Sequence, residues 1–241
     1  MAVINLTPDS FYEPSRVRSA QVQRRVATLL EEGADIIDLG AVSTRPGAAP
    51  VSLEQEWLRL LPALRRWNPE VRLSVDTTRA EIVRRVYDRV GPFMVNDISA
   101  GEDDREMLAT VGELGLPYVA MHKRGDPRTM DTLVSYPDGI MAALKEYFMV
   151  FASRADTFGV RDWILDPGLG FAKTPIQCWE ILRQLKKLRS FGHPILIGAA
   201  DKRFTEGDTE QAHRLALQNG ADILRVHDVA AARATILQTA V

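Results

Sequence analysis

The chain has 241 residues, 46% hydrophobic and 26% charged, with 30 Lys plus Arg against 32 Asp plus Glu. That is the balance of an ordinary globular domain able to bury a sizeable core, and it offers no whole-domain positive field for nucleic acid or an anionic membrane surface. A single cysteine, Cys178, excludes an internal disulfide, no apolar run approaches the ~20 residues that span a bilayer, and no charged-then-apolar leader opens the chain, so a cytoplasmic protein is expected.

Residues 2–5, AVIN, read as a short buried strand that runs into a Thr-Pro-Asp-Ser loop. Val22, Val26, Leu29 and Leu30 then keep a helical period, closed by Gly33. This strand, loop, helix unit repeats. DIIDLG precedes the loop at 43–47 and a helix from about Ser52, where a Glu some three residues on suggests a capping box. RLSVDT leads to a helix near 79–89 and PFMVNDI to one near 104–114. YVAMH gives way to a long loop (123–134) and a helix from about Pro137. WILDPG, PILIGA and ILRVHDV precede helices near 176–189, 209–219 and 230–238. Eight such units without a composition break predict an α/β fold of one domain over 1–241, a (β/α)8 TIM barrel, with an open doubly wound sheet as the alternative. The paired arginines at 24–25, 65–66 and 84–85 read as solvated faces of outer helices.

The strands end on polar groups, and residues of period two share a face. Asn5, Asp76, Asp166, Arg225 and His227 therefore point inward at one mouth, together with Asn96 or Asp97 according to register. Polar groups gathered at the mouth of an apolar barrel are costly without partners and imply a polar ligand.

NLTPDSF (5–11), GADIIDLGAVSTRPGA (33–48), SVDT (74–77), NDISAG (96–101), MHKRGDPRTM (121–130), LDPGLGFAKT (165–174) and RVHDV (225–229) resemble, in order, the motifs of the dihydropteroate synthase family. The resemblance implies a barrel that joins 6-hydroxymethyl-7,8-dihydropterin pyrophosphate to p-aminobenzoate, releasing pyrophosphate with the help of Mg2+. It implies catalytic roles for Asp76, Asp166, Lys202 and Arg45. A pterin offers an amino group and a ring N–H side by side, which a carboxylate accepts with two hydrogen bonds. Asp166 is the candidate clamp, with Asp76, Asn96, Met121 and Lys202 also on the pterin; the family chooses Asn96 over Asp97. Pyrophosphate would be met by Asn5, Thr44, Arg45, Arg225 and His227, cations and donors placed where negative charge accumulates, with Asn5 also holding the metal. Phe11, Pro46, Phe171 and Lys202 would frame the p-aminobenzoate slot. Carbon–oxygen cleavage would come first, leaving a cation delocalised over the pterin, and no enzyme nucleophile is required. Arg225→Ala is expected to spare binding of a bare pterin. A homodimer and sensitivity to sulfonamides are family expectations.

Three departures stand out. After strand seven the family's Ser-Arg-Lys-Ser-like segment is replaced by Ala200-Asp201-Lys202-Arg203, where Asp201 could pair with Lys202, and only 205–208 precede the next helix. The family's lead-in beneath the barrel is absent, which should expose apolar side chains at its floor. Glu13 and Pro14 stand where the family commonly has Asp-Gly-Gly. A catalytically silent pterin-binding homologue is one alternative. A methyltetrahydrofolate-dependent methyltransferase is another, although such barrels lack the paired TPDSF and STRPG loops.

Overall fold

The computed structural model describes residues 1–6, 15–42, 50–125, 129–200 and 202–239. Strands β1 (Ala2–Asn5), β2 (Ile37–Gly40), β3 (Leu73–Asp76), β4 (Met94–Asp97), β5 (Tyr118–Met121), β6 (Trp163–Asp166), β7 (Leu196–Ile197) and β8 (Ile223–Leu224) alternate with helices α1 (Ser15–Glu31), α2 (Leu53–Leu64), α3 (Ala80–Val90), α4 (Met107–Leu114), α5 (Ile140–Thr157), α6 (Pro175–Gln184), α7 (Thr209–Gln218) and α8 (Val229–Thr239). Strands β1 to β6 pair in sequence order, and β7 pairs with β8. All these pairings are parallel. Bridges from Leu165 to Ile195 and from Ala2 to Val226 join the two sheets on both sides. The ring is closed, as a (β/α)8 barrel requires, and the open-sheet alternative falls away.

Several boundaries move for local reasons. The capping box at Ser52 is completed by Gln55, an amide doing what a Glu was expected to do. A second box pairs Thr174 with Gln177 behind Pro175 at the first helical position. Helix α5 begins after Gly139, whose φ of 85° breaks the helix expected from Pro137, and α6 gives way to a 3-10 segment over Leu185–Phe191.

Leu39, Val75, Val95, Ala120, Leu165 and Ile197 face the helices and are fully buried. Phe148 and Phe151 of α5 pack onto Trp163 and Tyr118 of the strands, stacked in the pairs Tyr118–Phe151 and Phe148–Trp163 and edge-on between Phe151 and Trp163. On the inner face, Met1, Ile36, Val119, Ile164 and Leu196 form a separate buried cluster with Met94 and Ile223 against it. These side chains cover one another, while a cavity of about 370 Å3 with Met1, Ile36, Met94 and Ile223 in its wall opens at the floor, where an exposed apolar interior was expected. The segment after β7 is short but ordered by its own bonds. Thr205 N–H donates to the Lys202 carbonyl at 3.1 Å, Asp208 N–H to that of Thr205 at 2.8 Å, and Trp179 Nε1 donates to that of Phe204 at 3.1 Å.

Gly112 on α4 lies so close to the end of α5 that an added Cβ would sit 1.8 Å from the Phe158 carbonyl oxygen. Gly112→Ala must push the two helices apart, a strain of about 1–3 kcal/mol or more. It should lower the urea midpoint clearly; an unchanged midpoint would mean that the helices separate freely.

Candidate functional site

Alternation stacks the barrel interior in layers. Two residues beyond the apolar floor of each strand come Asp38 on β2, Ser74 on β3, Asn96 on β4, Met121 on β5, Asp166 on β6 and Arg225 just past β8. Asn5, Gly40 and Asp76 occupy the rim above β1 to β3, and the strand register places Asp76 beside both Gly40 and Asn96. Position 40 matters for space, because a Cβ there would lie 3.5 Å from Asn5 Oδ1 and 3.7 Å from the Asp76 Cβ.

The centre of the polar layer is Asp38, which is fully buried. Its Oδ1 accepts from Ser74 Oγ at 2.6 Å. Its Oδ2 accepts from Asn96 Nδ2 at 3.1 Å and from Arg225 Nε at 2.8 Å. Arg225 Nη2 lies 2.7 Å from the same oxygen and 2.9 Å from Asp76 Oδ2. Burial works against the Arg225 charge, but Asp38 and Asp76 outweigh it and hold the guanidinium above its ordinary range. Burial pushes the Asp76 carboxyl up to about 7; Arg225 opposes the shift, while Asp38 adds to it.

Asp166 is raised by burial, against the pull of the Gly168 N–H and of Lys202. Its Oδ1 accepts from that N–H at 2.8 Å, so half of this carboxylate does hold a turn. Lys202 Nζ sits 4.3 Å over the Phe171 ring and donates to the Leu169 carbonyl at 2.8 Å. Burial lowers its amine to about 8, with Asp166 acting the other way. Asp201, once expected to compete for Lys202, lies outside the described residues.

Behind the same loop a second lysine is buried. Lys173 Nζ lies 2.8 Å from His122 Nδ1 and donates to the carbonyls of Phe171 at 2.9 Å and His122 at 3.3 Å. Desolvation lowers Lys173 to about 7. It also lowers His122, to which the Lys173 charge adds, so the imidazole is neutral and accepts at Nδ1. Between Phe171 and Lys173, buried Ala172 has φ 51°, and its carbonyl accepts from Tyr136 Oη at 2.9 Å.

A cavity of about 350 Å3 opens at this mouth, with Asp76, Ile98, Met130 and Phe171 in its wall. Asn96, Asp166, Met121 and Lys202 adjoin the barrel axis rather than that wall. Asn5 and His227 are exposed on the rim. Phe11, Thr44, Arg45 and Pro46 lie outside the described residues. The structure therefore brings together Asp76, Asn96, Asp166, Arg225 and Lys202, with Phe171 against Lys202. It separates Asn96 from Asp97, whose fully buried carboxylate accepts instead from Tyr118 Oη, Ser99 and the Gly101 N–H.

Asp38, Lys173 and His122 were not among the expected site residues. Asp38 was signalled by lying two positions before Gly40 on the inner face. Nothing local marks the Lys173–His122 pair, because the partners are 51 residues apart.

Acceptors and cations converging at the C-terminal end of a closed barrel define an enzyme of the barrel class with a site for a polar, nitrogen-rich ligand. The pterin binding enzyme family matches residues 1–227, and the chain belongs to that family. It is 39% identical over 248 residues to a dihydropteroate synthase of Synechocystis, covering 96% of this chain and 85% of that one. Among solved structures, Xanthomonas albilineans dihydropteroate synthase with 4-aminobenzoic acid has a TM-score of 0.87 at 34% identity, covering 100% of this chain and 91% of its own. The enzyme of Anaplasma phagocytophilum with bound 6-hydroxymethylpterin-monophosphate has 0.85 at 28%, covering 99% and 97%.

The raised carboxyl of Asp76 has a measurable consequence. A folded-state value near 7 against an ordinary 3.8 gives a contribution to stability that is complete below 3.8 and lost as pH rises through 7. Asp76→Asn should flatten the fall in stability between about pH 4 and about pH 7 by up to ~1.4 kcal/mol per pH unit. Urea unfolding across that range checks this, and parallel slopes for parent and variant would show a carboxyl ionised throughout.

Proposed function

We infer that the chain is a dihydropteroate synthase, a transferase of folate biosynthesis that condenses 6-hydroxymethyl-7,8-dihydropterin pyrophosphate with p-aminobenzoate to give 7,8-dihydropteroate and pyrophosphate. The observation that carries this reading is a row of acceptors with free edges. Asn96 Oδ1, Asp166 Oδ2 and Asp76 Oδ1 accept nothing from the described residues; Asn96 and Asp166 are buried and Asp76 is partly exposed. A pterin presents amino and ring N–H donors along one edge and meets such a row without leaving buried acceptors unpaired. The pterin and p-aminobenzoate analogues held by the Anaplasma and Xanthomonas relatives support the same pairing of substrates.

In this reading Asp166 clamps the donor pair, with Asn96, Asp76 and Met121 completing the pterin pocket. Lys202 bridges from the pterin to the p-aminobenzoate side, where Phe171, Phe11 and Pro46 flank the ring. Arg225, His227, Thr44 and Arg45 face the diphosphate and stabilise the charge that develops as the carbon–oxygen bond breaks. The carboxylates at the mouth stabilise the complementary cation on the pterin until the arylamine nitrogen adds. Because Arg225 is bracketed by Asp38 and Asp76, Arg225→Ala would leave the fully buried Asp38 and the partly exposed Asp76 without their cation. The expectation that it spares bare-pterin binding is withdrawn for that reason.

Mg2+ fits at Asn5, an exposed amide oxygen of the hard type the ion prefers. In this reading the ion's other ligands would be diphosphate oxygens and water. It would supply charge neutralisation at the leaving group. No helix is long and apolar enough to cross a membrane among the described residues, and we place the enzyme in the cytoplasm as a homodimer open to sulfonamides at the arylamine slot, with no nucleic-acid partner.

The test is direct. Purified protein with both substrates and Mg2+ should yield dihydropteroate and pyrophosphate; pterin binding without product would mark a silent homologue. Asp166→Asn should weaken pterin binding about 10- to 100-fold, the equivalent of a charged hydrogen bond. Calorimetry showing unchanged affinity would remove Asp166 from the clamp.

A further inference from the structure

We propose that Asp38 is a positioning residue that sets the hydrogen-bond polarity of the pterin site by fixing which atoms of Asn96 and Arg225 are left to the ligand. The inference rests on the reading above, in which those two side chains meet the substrate. Asp38 itself is fully buried and absent from the cavity wall, so it acts through others.

The geometry leaves one arrangement. A carboxylate only accepts, so the Asn96 atom 3.1 Å from Asp38 Oδ2 must be the amide nitrogen. The amide oxygen is then turned away as an acceptor. A neutral partner at position 38 could tolerate either orientation and would present donor and acceptor indifferently. Ser74 donates to Oδ1 at 2.6 Å, while Asn96 and Arg225 both donate to Oδ2. Arg225 commits Nε to that same oxygen and Nη2 to both acids. Its Nη1 has no partner among the described residues. The three donors come from β3, β4 and the end of β8, so one carboxylate ties together strands on both sides of the mouth. The pterin edge therefore meets an acceptor at position 96, and Arg225 is left with Nη1 for the diphosphate end of the same ligand.

The experiment reads the affinity of the full-length protein for 6-hydroxymethyl-7,8-dihydropterin pyrophosphate by calorimetry, with KM for p-aminobenzoate and the unfolding midpoint alongside. Asn96→Asp sets a second carboxylate against Asp38 and should weaken pterin binding about tenfold or more. Adding Asp38→Asn removes that repulsion, lets the amide donate to the new carboxylate and leaves an acceptor oxygen for the ligand. The double variant should regain about tenfold in pterin affinity, while KM for p-aminobenzoate stays near the parental value throughout. A double variant no better than Asn96→Asp, or a recovery shared equally by both substrates, would overturn the proposal. If Asn96→Asp does not fold, the same recovery is read on the unfolding midpoint, and failure of Asp38→Asn to restore it overturns the proposal equally. A parent chain that binds no pterin would sink the functional reading and this inference with it; parental binding without recovery sinks this inference alone.

Discussion

One guanidinium holds the active end of this barrel together. Arg225 arrives just past the last short strand and lies between Asp38 and Asp76, carboxylates from the second and third strands. Asp38, fully buried, and the partly exposed Asp76 would repel each other without it, and the largely covered guanidinium would lack its counter-charge without them. The same contacts draw the β8 side of the ring toward β2 and β3, near the point where main-chain pairing is thinnest, since β8 meets β1 through an isolated bridge. Closure of the fold and organisation of the site are thus one interaction seen from two sides.

The neighbouring groups follow from that triad. Asn96 is oriented by Asp38, and Asp76 is held between a cation that favours its ionisation and burial that opposes it. Across the barrel, Asp166 divides its oxygens between a turn and the site. Lys202 lies near enough to feel Asp166, while resting on the face of Phe171. A carboxylate side and a lysine–aromatic side emerge, matching a substrate pair in which one partner is a donor-rich bicycle and the other a flat amine.

Much of this was legible before any coordinates. Apolar runs ending on polar residues marked the strands, and alternation placed Asp76, Asp166 and Arg225 on one inner face. The ambiguity between Asn96 and Asp97 had a readable cue: Ser99 and Gly101 follow at the spacing of a carboxylate-capped turn, which claims Asp97. What escaped was pairing at a distance. Arg225 read as a cation available to a diphosphate because its partners lie 187 and 149 positions away. Asp38 was visible as an acid within a strand but carried no expected role, because it sits one layer below the strand ends and its partners come from other strands. Lys173 lies within a matching motif without a role of its own, and tertiary packing turns it inward against His122. The apolar cluster at the floor likewise depends on side chains from several strands meeting, which no single segment announces.

The loop after β6 is immobilised from beneath. Gly168 fits where a Cβ would strike the His122 carbonyl, Ala172 keeps a left-handed backbone rare for a residue with a Cβ, and Lys173 grips the Phe171 carbonyl from below. Phe171 is consequently a fixed fence rather than a swinging gate. On the proposed reading, in which Phe171 flanks the arylamine, bulkier or slimmer aromatic amines are accommodated on the opposite side of the slot, and discrimination among them is a matter of where that side stops against an unyielding ring.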